Sequence, residues 1–452
     1  MKNKETSEKA SGFSESRRSF IKKSGAAAAG LAAAPTLLGS KVFGKAPAPG
    51  SVLGANDRLV AGFIGVGGQG FNAHLRSGVV NQSQEQNVVG AAVADVWQKR
   101  IDRAQEALGI SDSDTYTDYR RLLDRDDIDI VFIGSVDHWH AKQAIDAMDA
   151  GKDIYVEKPM TRYLDEGFAV HDKAKETGRV VQVGTQYCTE GKWHVAAEII
   201  KAGKIGPLVL AQDSYMRNNP DGEWNYTIDP DLTPDTVNWE DWLGPVSSRE
   251  FSADEYFRWR KYHPYCSGIL GDLLAHRVHP LMMATGDPQF PTRVVSLGTK
   301  QITPDRDVPD NTQLLAEFPN GLTIMVTGST VNEQGLGQVI RGHEATLYFA
   351  GNRLELRPER PFADLVDREE HNDIQPGVNV AAHIANFFDA VRTGVKPNAN
   401  IDLAIRVQTV LSLAEMSERL GEMLYFDENT RTITNGGGTK FDPITYGTLE
   451  KS

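Results

Sequence analysis

Asp272, His276 and His279 lie at spacings that a helix would gather. Asp272 and His276 are i,i+4 neighbours, and His279 is one further step along the same face. A histidine so placed is a natural proton acceptor, because its ordinary pKa lies near neutrality. The carboxylate could orient its ring or accept a hydrogen bond from a substrate hydroxyl. The same three residues could instead hold a metal with ligands from elsewhere, or simply be packed. Far upstream, Gly65-Val66-Gly67-Gly68-Gln69-Gly70 has the glycine spacing of a phosphate-binding turn. Glycine there permits the tight bend, close approach of the backbone to a pyrophosphate, and close helix–strand packing.

These residues need elements to hold them. Leu59 to Ile64 reads as a buried strand running straight into the glycine turn, and a helical stretch follows it. The N-terminus of that helix offers unpaired N–H groups to an anion. A second strand, Val88 to Ala94, ends at Asp95, near the spacing expected for the carboxylate that binds an adenosine ribose. A carboxylate there repels a 2′-phosphate by about 4 kcal/mol per unit charge at ~4 Å. NAD is therefore expected over NADP, although Lys99 and Arg100 could soften the preference. Strand and helix signals then alternate to strand Val180–Val183, implying a parallel, doubly wound sheet. Gly65–Gly70, Asp95, Ser135–His140 and Glu157–Pro159 all fall at the carboxyl ends of its strands, where such sheets bind ligands.

Three stretches, the glycine turn, Asp137-His138-Trp139-His140-Ala141 and Ala150-Gly151-Lys152-Asp153-Ile154-Tyr155-Val156-Glu157-Lys158-Pro159, resemble the Gfo/Idh/MocA oxidoreductases, specifically the branch carrying twin-arginine signals. The resemblance implies a nicotinamide-dependent oxidoreductase acting on CH–OH groups of a sugar or polyol, assembled as a dimer or tetramer. It implies that Lys158 sits beside the nicotinamide and that His276 and Asp272 serve as acid/base and site-shaping residue. It places Glu157, Ser135, His138, Trp139 and His140 around the cofactor with Gly65, Gly67, Gly68, Gln69, Gly70 and Asp95. Gln186, Tyr187, His279, Arg258 and Lys192 are candidates to touch substrate. A lysine beside a cationic nicotinamide and shielded from water should have a lowered pKa, letting it exchange a proton with the reacting hydroxyl. Two departures stand out: His279 occupies a position where many relatives carry Asp, and Leu274 one where they often have Gly.

The second domain is expected to be α+β. Strand signals at 293–298, 313–318, 322–328 and 345–349 precede helices at about 381–393 and 402–420, predicting an open, mostly antiparallel sheet with helices on one face. Gly351-Asn352 suits a hairpin turn. The expected organisation is a signal and linker (1–48), a Rossmann domain (57–184), a substrate and oligomerisation domain (185–440) and a short tail (441–452).

The net charge of −13 argues against nucleic acid. Ser16-Arg17-Arg18-Ser19-Phe20-Ile21-Lys22-Lys23 before an Ala/Gly-rich run resembles a twin-arginine signal, which predicts export to the periplasm with no membrane span in the mature chain. Cofactor is scarce outside the cytoplasm, so an exported enzyme should carry it tightly bound and recycle it in place. That includes redox-neutral glycoside cleavage or epimerisation through a keto intermediate. A non-catalytic sugar-binding protein is the contrasting reading. Cys188 and Cys266 are the only cysteines, too few for a thiolate metal site, and sequence does not bring them together.

Overall fold

The computed structural model describes residues 57–446; the twin-arginine stretch and the last six residues lie outside the described residues. The first sheet has six strands: β1 (Leu59–Ile64), β2 (Val88–Ala94), β3 (Thr115–Tyr116), β4 (Ile130–Ile133), β5 (Asp153–Val156) and β6 (Val181–Val183). They lie in the order β3-β2-β1-β4-β5-β6, and every pair is parallel. This is the doubly wound order of dinucleotide-binding domains, with its crevice where β1 and β4 diverge. The strands are apolar throughout because helices cover both faces: Ala61, Phe63, Ile130 and Phe132 pack on one side, Ile64, Val131 and Ile133 on the other. Helix Gln98–Leu108 ends where Gly109 turns left-handed, at φ +67°.

Part of this domain's core comes from far along the chain. Helix Val380–Thr393, capped by the Asn379 side chain on Ala382 N, inserts Ile384, Phe387 and Phe388 among Phe63, Leu75, Phe132 and Tyr155.

The second sheet has twelve strands: β7 (Leu208–Asn218), β8 (Arg293–Thr299), β9 (Asn311–Glu317), β10 (Thr323–Ser329), β11 (Val331–Asn332), β12 (Val339–Gly342), β13 (Ala345–Ala350), β14 (Arg353–Pro358), β15 (Glu369–His371), β16 (Leu424–Asp427), β17 (Thr432–Asn435) and β18 (Lys440–Phe441). Its order is β15-β14-β13-β12-β7-β10-β9-β8-β16-β17-β18, with β11 against β7; only β7 and β10 run parallel. The sheet is thus open and mostly antiparallel, as expected. Gly351 makes the β13–β14 hairpin turn at φ +56°. Buried residues alternate with half-buried or more exposed ones along β8, β9 and most of β10. Helices Ala275–Ala284 and Ile401–Leu420 cover one face, while Val209, Leu297, Leu315 and Tyr348 remain exposed. Among the described residues no helix is long and apolar enough to cross a membrane. Cys188 and Cys266 are both buried free thiols.

Residues 219–265 form a long excursion that folds back onto the first sheet's carboxyl rim. Trp97, just after β2, bridges to Val237, and Asn238 N donates to Val96 O at 3.1 Å. Trp97, Trp242, Tyr256 and Tyr265 share one buried cluster, and Lys99 Nζ reaches both Asp229 and Asp231, at 2.7 and 2.6 Å. The aromatic residues of this stretch are therefore largely a seam, with Tyr226, Tyr256 and Trp259 also turned to the cavity beneath.

Candidate active site

The glycine turn is built by close approach. Gly65 sits at φ +77°, and a Cβ there would lie 2.5 Å from Ser135 N. A Cβ on Gly70 would lie 2.0 Å from the Gly65 carbonyl oxygen, so Gly70 is what lets the helix Gly70–Val79, wound in the wider π form, start against the turn. At Gly68 a Cβ would meet open space on the cavity side. Gly70→Ala should therefore force the turn open, and an overpacking cost of about 1–3 kcal/mol weakens dinucleotide binding about 5- to 150-fold. A fluorescence titration with NADH reads this, and an unchanged affinity would contradict it.

From this turn a cavity of about 920 Å³ runs to the second domain. Its lining includes Gly65, Gly67, Gly68, Gln69, Asp95, Ser135, Trp139, His140, Glu157, Lys158, Gln186, Asp272 and His276. The sequence-predicted residues thus gather on one surface, with six exceptions. Gly70 lies behind the turn as a packing glycine. His138 donates to the Trp242 carbonyl at 2.9 Å and is buried in the seam. Tyr187 packs edge-on against His276, 5.2 Å between ring centres, behind the wall. Arg258 is spent on Asp254 and the Tyr226 carbonyl. Lys192 is buried against Gln338 and the Gly351 carbonyl. His279 is turned into the core, bonded to the Ala275 carbonyl at 2.9 Å. The physical reason for the last is local: Leu270–Leu274 forms a wide π turn before the α-helix Ala275–Ala284. That turn keeps Asp272 and His276 on the cavity but rotates His279 off it; inserted turns of this kind often mark functional sites. Among the described residues no group of three or more His, Cys, Asp or Glu is arranged to hold a metal ion.

Asp95 Oδ2 accepts from Val66 N at 2.9 Å and Oδ1 from Trp97 N at 3.1 Å, so the carboxylate ties the end of β2 to the glycine turn. Arg103 donates to the Val66 and Gly67 carbonyls and stacks on Phe71. Glu157 accepts from His74 at 2.9 Å, Gln69 at 3.0 Å and Lys158 N at 3.1 Å. Burial alone would raise its pKa, but these bonds and the neighbouring Lys158 charge hold it at about 2. Glu157 is therefore the strut beneath the loop that carries Lys158.

Lys158 Nζ donates to Asp272 Oδ1 at 2.6 Å and to the Asp272 carbonyl at 2.8 Å. Asp272 Oδ1 also accepts from Arg260 Nε at 2.7 Å, and Oδ2 accepts from Trp224 Nε1 at 3.0 Å. Burial would raise Asp272, but the two cations hold it well below the usual carboxylate range. For Lys158, burial pushes down while the Asp272 charge pulls up, and the net direction is up. In this arrangement the carboxylate partner outweighs desolvation and favours the charged amine; the lowering expected in the sequence analysis belongs to a lysine that faces a cationic nicotinamide. His276, 8% exposed, goes the other way. Burial first and then the Lys158 charge push it well below its usual 6.5, so its ring is neutral near pH 7.

Arg260 and Trp224 were not legible in the sequence. Both come from the 219–265 excursion, where no spacing singles them out.

The cofactor-shaped half of this cavity fits a dinucleotide: a turn whose glycines are required by backbone approach, open space at Gly68, and a helix N-terminus behind it. Fold and site together define a two-domain protein, an NAD-binding Rossmann domain joined to a C-terminal α/β domain. Residues 59–185 match the model of an oxidoreductase family with an NAD-binding Rossmann fold, and 221–440 match that family's C-terminal alpha/beta domain. The chain belongs to the Gfo/Idh/MocA family, and its cofactor is NAD.

Among curated proteins, a glycosyl hydrolase family 109 protein of Shewanella baltica (strain OS155) is 33% identical over 216 residues, 44% of this chain and 46% of that one. An alpha-N-acetylgalactosaminidase of Shewanella oneidensis is 32% identical over 233 residues, 46% and 49% respectively. The aligned stretch thus spans about half the length of these relatives. Among solved structures, levoglucosan dehydrogenase in complex with NADH and levoglucosan has a TM-score of 0.62 at 20% identity, covering 81% of this chain and 99% of that one. At that identity the likeness shows the fold.

Proposed function

We propose that this protein oxidises a hydroxyl-bearing carbon of a sugar using NAD that stays in the cleft, and that the electrons return to the sugar before product leaves. Under this reading the net reaction is redox-neutral, and glycoside cleavage is the outcome favoured by the names of the curated relatives. The observation that carries the proposal is that Lys158 and His276, far apart in sequence, line one cavity whose other end is the glycine turn.

NAD, when bound, supplies the hydride acceptor. The rest is done by the chain. Lys158, held charged by Asp272, donates to the substrate oxygen and stabilises negative charge developing there. His276 takes the hydroxyl proton, because burial beside Lys158 leaves its imidazole neutral. Arg260 and Trp224 fix Asp272, so neither the carboxylate nor the lysine must reorganise during the reaction. The excursion over the rim, latched by the Lys99 pairs and the Trp97 seam, excludes water and supports retention of the cofactor.

One pH consequence follows. Neutral His276 is the working form and its pKa lies well below 6.5, so activity is lost only as pH falls below that folded value. The acid limb of kcat/KM should lie below pH 6.5; a limb at or above it would contradict the assignment.

The test is to purify the protein natively, add no nucleotide, and screen free sugars and p-nitrophenyl glycosides. The expected result is product formation with only transient reduced-nicotinamide absorbance. Accumulating NADH would make the enzyme a simple dehydrogenase, and no sugar response at all would sink the reading. We also propose that Arg17-Arg18 directs export of the folded, cofactor-loaded chain. Periplasmic fractionation of the protein and of an Arg17→Lys, Arg18→Lys variant checks this, with cytoplasmic retention expected for the variant only.

A further inference from the structure

Glu157, Asp272 and Asp137 are buried carboxyl groups of the cavity wall. Two of them have no room for a proton. Asp272 accepts from Lys158 and Arg260 on Oδ1 and from Trp224 on Oδ2. Glu157 accepts from His74 and Gln69 on Oε1 and from Lys158 N on Oε2. Asp137 differs. It begins helix Asp137–Asp149, is 2% exposed, and its Oδ2 has no hydrogen-bond partner among the described residues. Buried oxygens are ordinarily satisfied, so one left open in a cavity wall is a place for a proton.

We propose that Asp137 holds the proton released when the substrate hydroxyl is oxidised and returns it when the electrons go back, so that the charge of the cavity is the same throughout a turnover. The inference rests on the function proposed above.

The neighbouring side chains create the need for such a group. Oxidation breaks the substrate O–H and C–H bonds; the hydride leaves for the nicotinamide and the proton for His276. An imidazolium is poorly held there. Its Nδ1 is buried without an acceptor among the described residues, and the Lys158 charge stands beside it. The new N–H bond therefore breaks in turn, and an O–H bond forms on Asp137. Reversal of both transfers restores the hydroxyl. A protein that stores the hydride on a retained nucleotide must store the proton too, because the rim excursion shuts out the solvent that would take it.

The charges agree with this. Facing Asp137 are Lys158 from the loop after β5, Arg260 from the rim excursion, Asp272 from the π turn and the Cys266 thiol. A cationic nicotinamide, two side-chain cations and two carboxylates leave a single positive charge. A neutral ring with Asp137 protonated leaves the same. Burial raises the Asp137 pKa to about 7 against the pull of Arg260 and Lys158. A cationic ring nearby lowers it further and a neutral one does not, which is the order the cycle requires. Cys266, pushed well above 9 by burial, keeps its own proton.

The test uses the natively purified protein with its bound nucleotide and needs no sugar. Mediated electrochemical titration, read by reduced-nicotinamide absorbance, gives the equilibrium between oxidised and reduced forms across pH. Reduction of NAD itself takes up a proton, and each proton taken up contributes about tenfold per pH unit. Wild type should steepen toward about a hundredfold per unit as pH falls below about 7, while Asp137→Asn stays near tenfold. The reduced-minus-oxidised infrared spectrum of wild type should also gain the C=O stretch of a protonated carboxyl, and both wild-type readings stand should the variant not fold. Wild type that lacks either the steep slope or the band overturns the assignment, and so does an Asp137→Asn protein that keeps the slope. A retained nucleotide with a tenfold slope leaves the proposed function standing and removes Asp137 alone. Protein that holds no nucleotide, and reduces none when NAD and sugars are added, removes both.

Discussion

Lys158→Ala is expected to lower kcat/KM by about 10³-fold, or ~4 kcal/mol of transition-state stabilisation, while leaving the fold intact. The loss should be large because, among the described residues, Lys158 is the only charged donor that reaches both Asp272 and the cavity from the Rossmann side. The fold should survive because Asp272 keeps Arg260 and Trp224, so no buried carboxylate is orphaned. Nucleotide binding should change little, since the glycine turn and Asp95 are untouched. Lys158→Arg should not rescue activity: its planar fork is longer and cannot reproduce a single ammonium bonded to both the Asp272 carboxylate and carbonyl. Steady-state kinetics with NADH titration separates the cases. Turnover within tenfold of wild type would remove Lys158 from the chemistry.

The largest stability effect is expected at Arg162. Its guanidinium is fully buried and grips Glu415 through two bonds of 2.7 Å, while also donating twice to the His263 carbonyl. This fork joins the loop after Lys158 to helix Ile401–Leu420 and to the rim excursion. Arg162→Ala leaves Glu415, 5% exposed, with only distant help from Arg419 at 3.6 Å and His263 at 3.7 Å. Breaking a buried pair from one side costs about 3–5 kcal/mol. Burial would raise Glu415, but Arg162 lowers it below 4.5, so the folded pKa is depressed. The contribution is therefore complete above pH 4.5 and fades as pH falls through the folded value. Urea denaturation at neutral pH reads the loss; a change under about 1 kcal/mol would mean the pair is compensated by solvent.

The two sheets and the glycine turn could be read from sequence because period and punctuation specify them locally. Continuous apolar runs bounded by glycines give β1, β4 and β5, and Gly351 marks its own hairpin. The convergence of Glu157, Lys158 and His140 on one rim follows from the rule that ligands bind at strand carboxyl ends. What failed to appear depends on tertiary contacts. His279 shares an apparent face with Asp272 only for a regular helix, and the π turn at Leu270–Leu274 removes it. His138 matches its motif, yet the excursion consumes it through the Trp242 carbonyl. The pairing of Lys158 with Asp272 joins residues 114 apart in the chain, and no local spacing announces it. Arg260 and Trp224 lie on a long loop where no local spacing distinguishes a site residue from a surface one.

The position of the nicotinamide end of the cofactor decides whether Lys158 and His276 do the chemistry. A crystal structure of the natively purified protein with NADH and a non-reacting sugar analogue locates it directly. The nicotinamide is expected between Lys158 and His276, with a sugar hydroxyl carbon about 3–3.5 Å from the ring and its oxygen bonded to Lys158 Nζ. A nicotinamide directed away from that wall, or a sugar held where neither residue reaches it, would remove both residues from the chemistry.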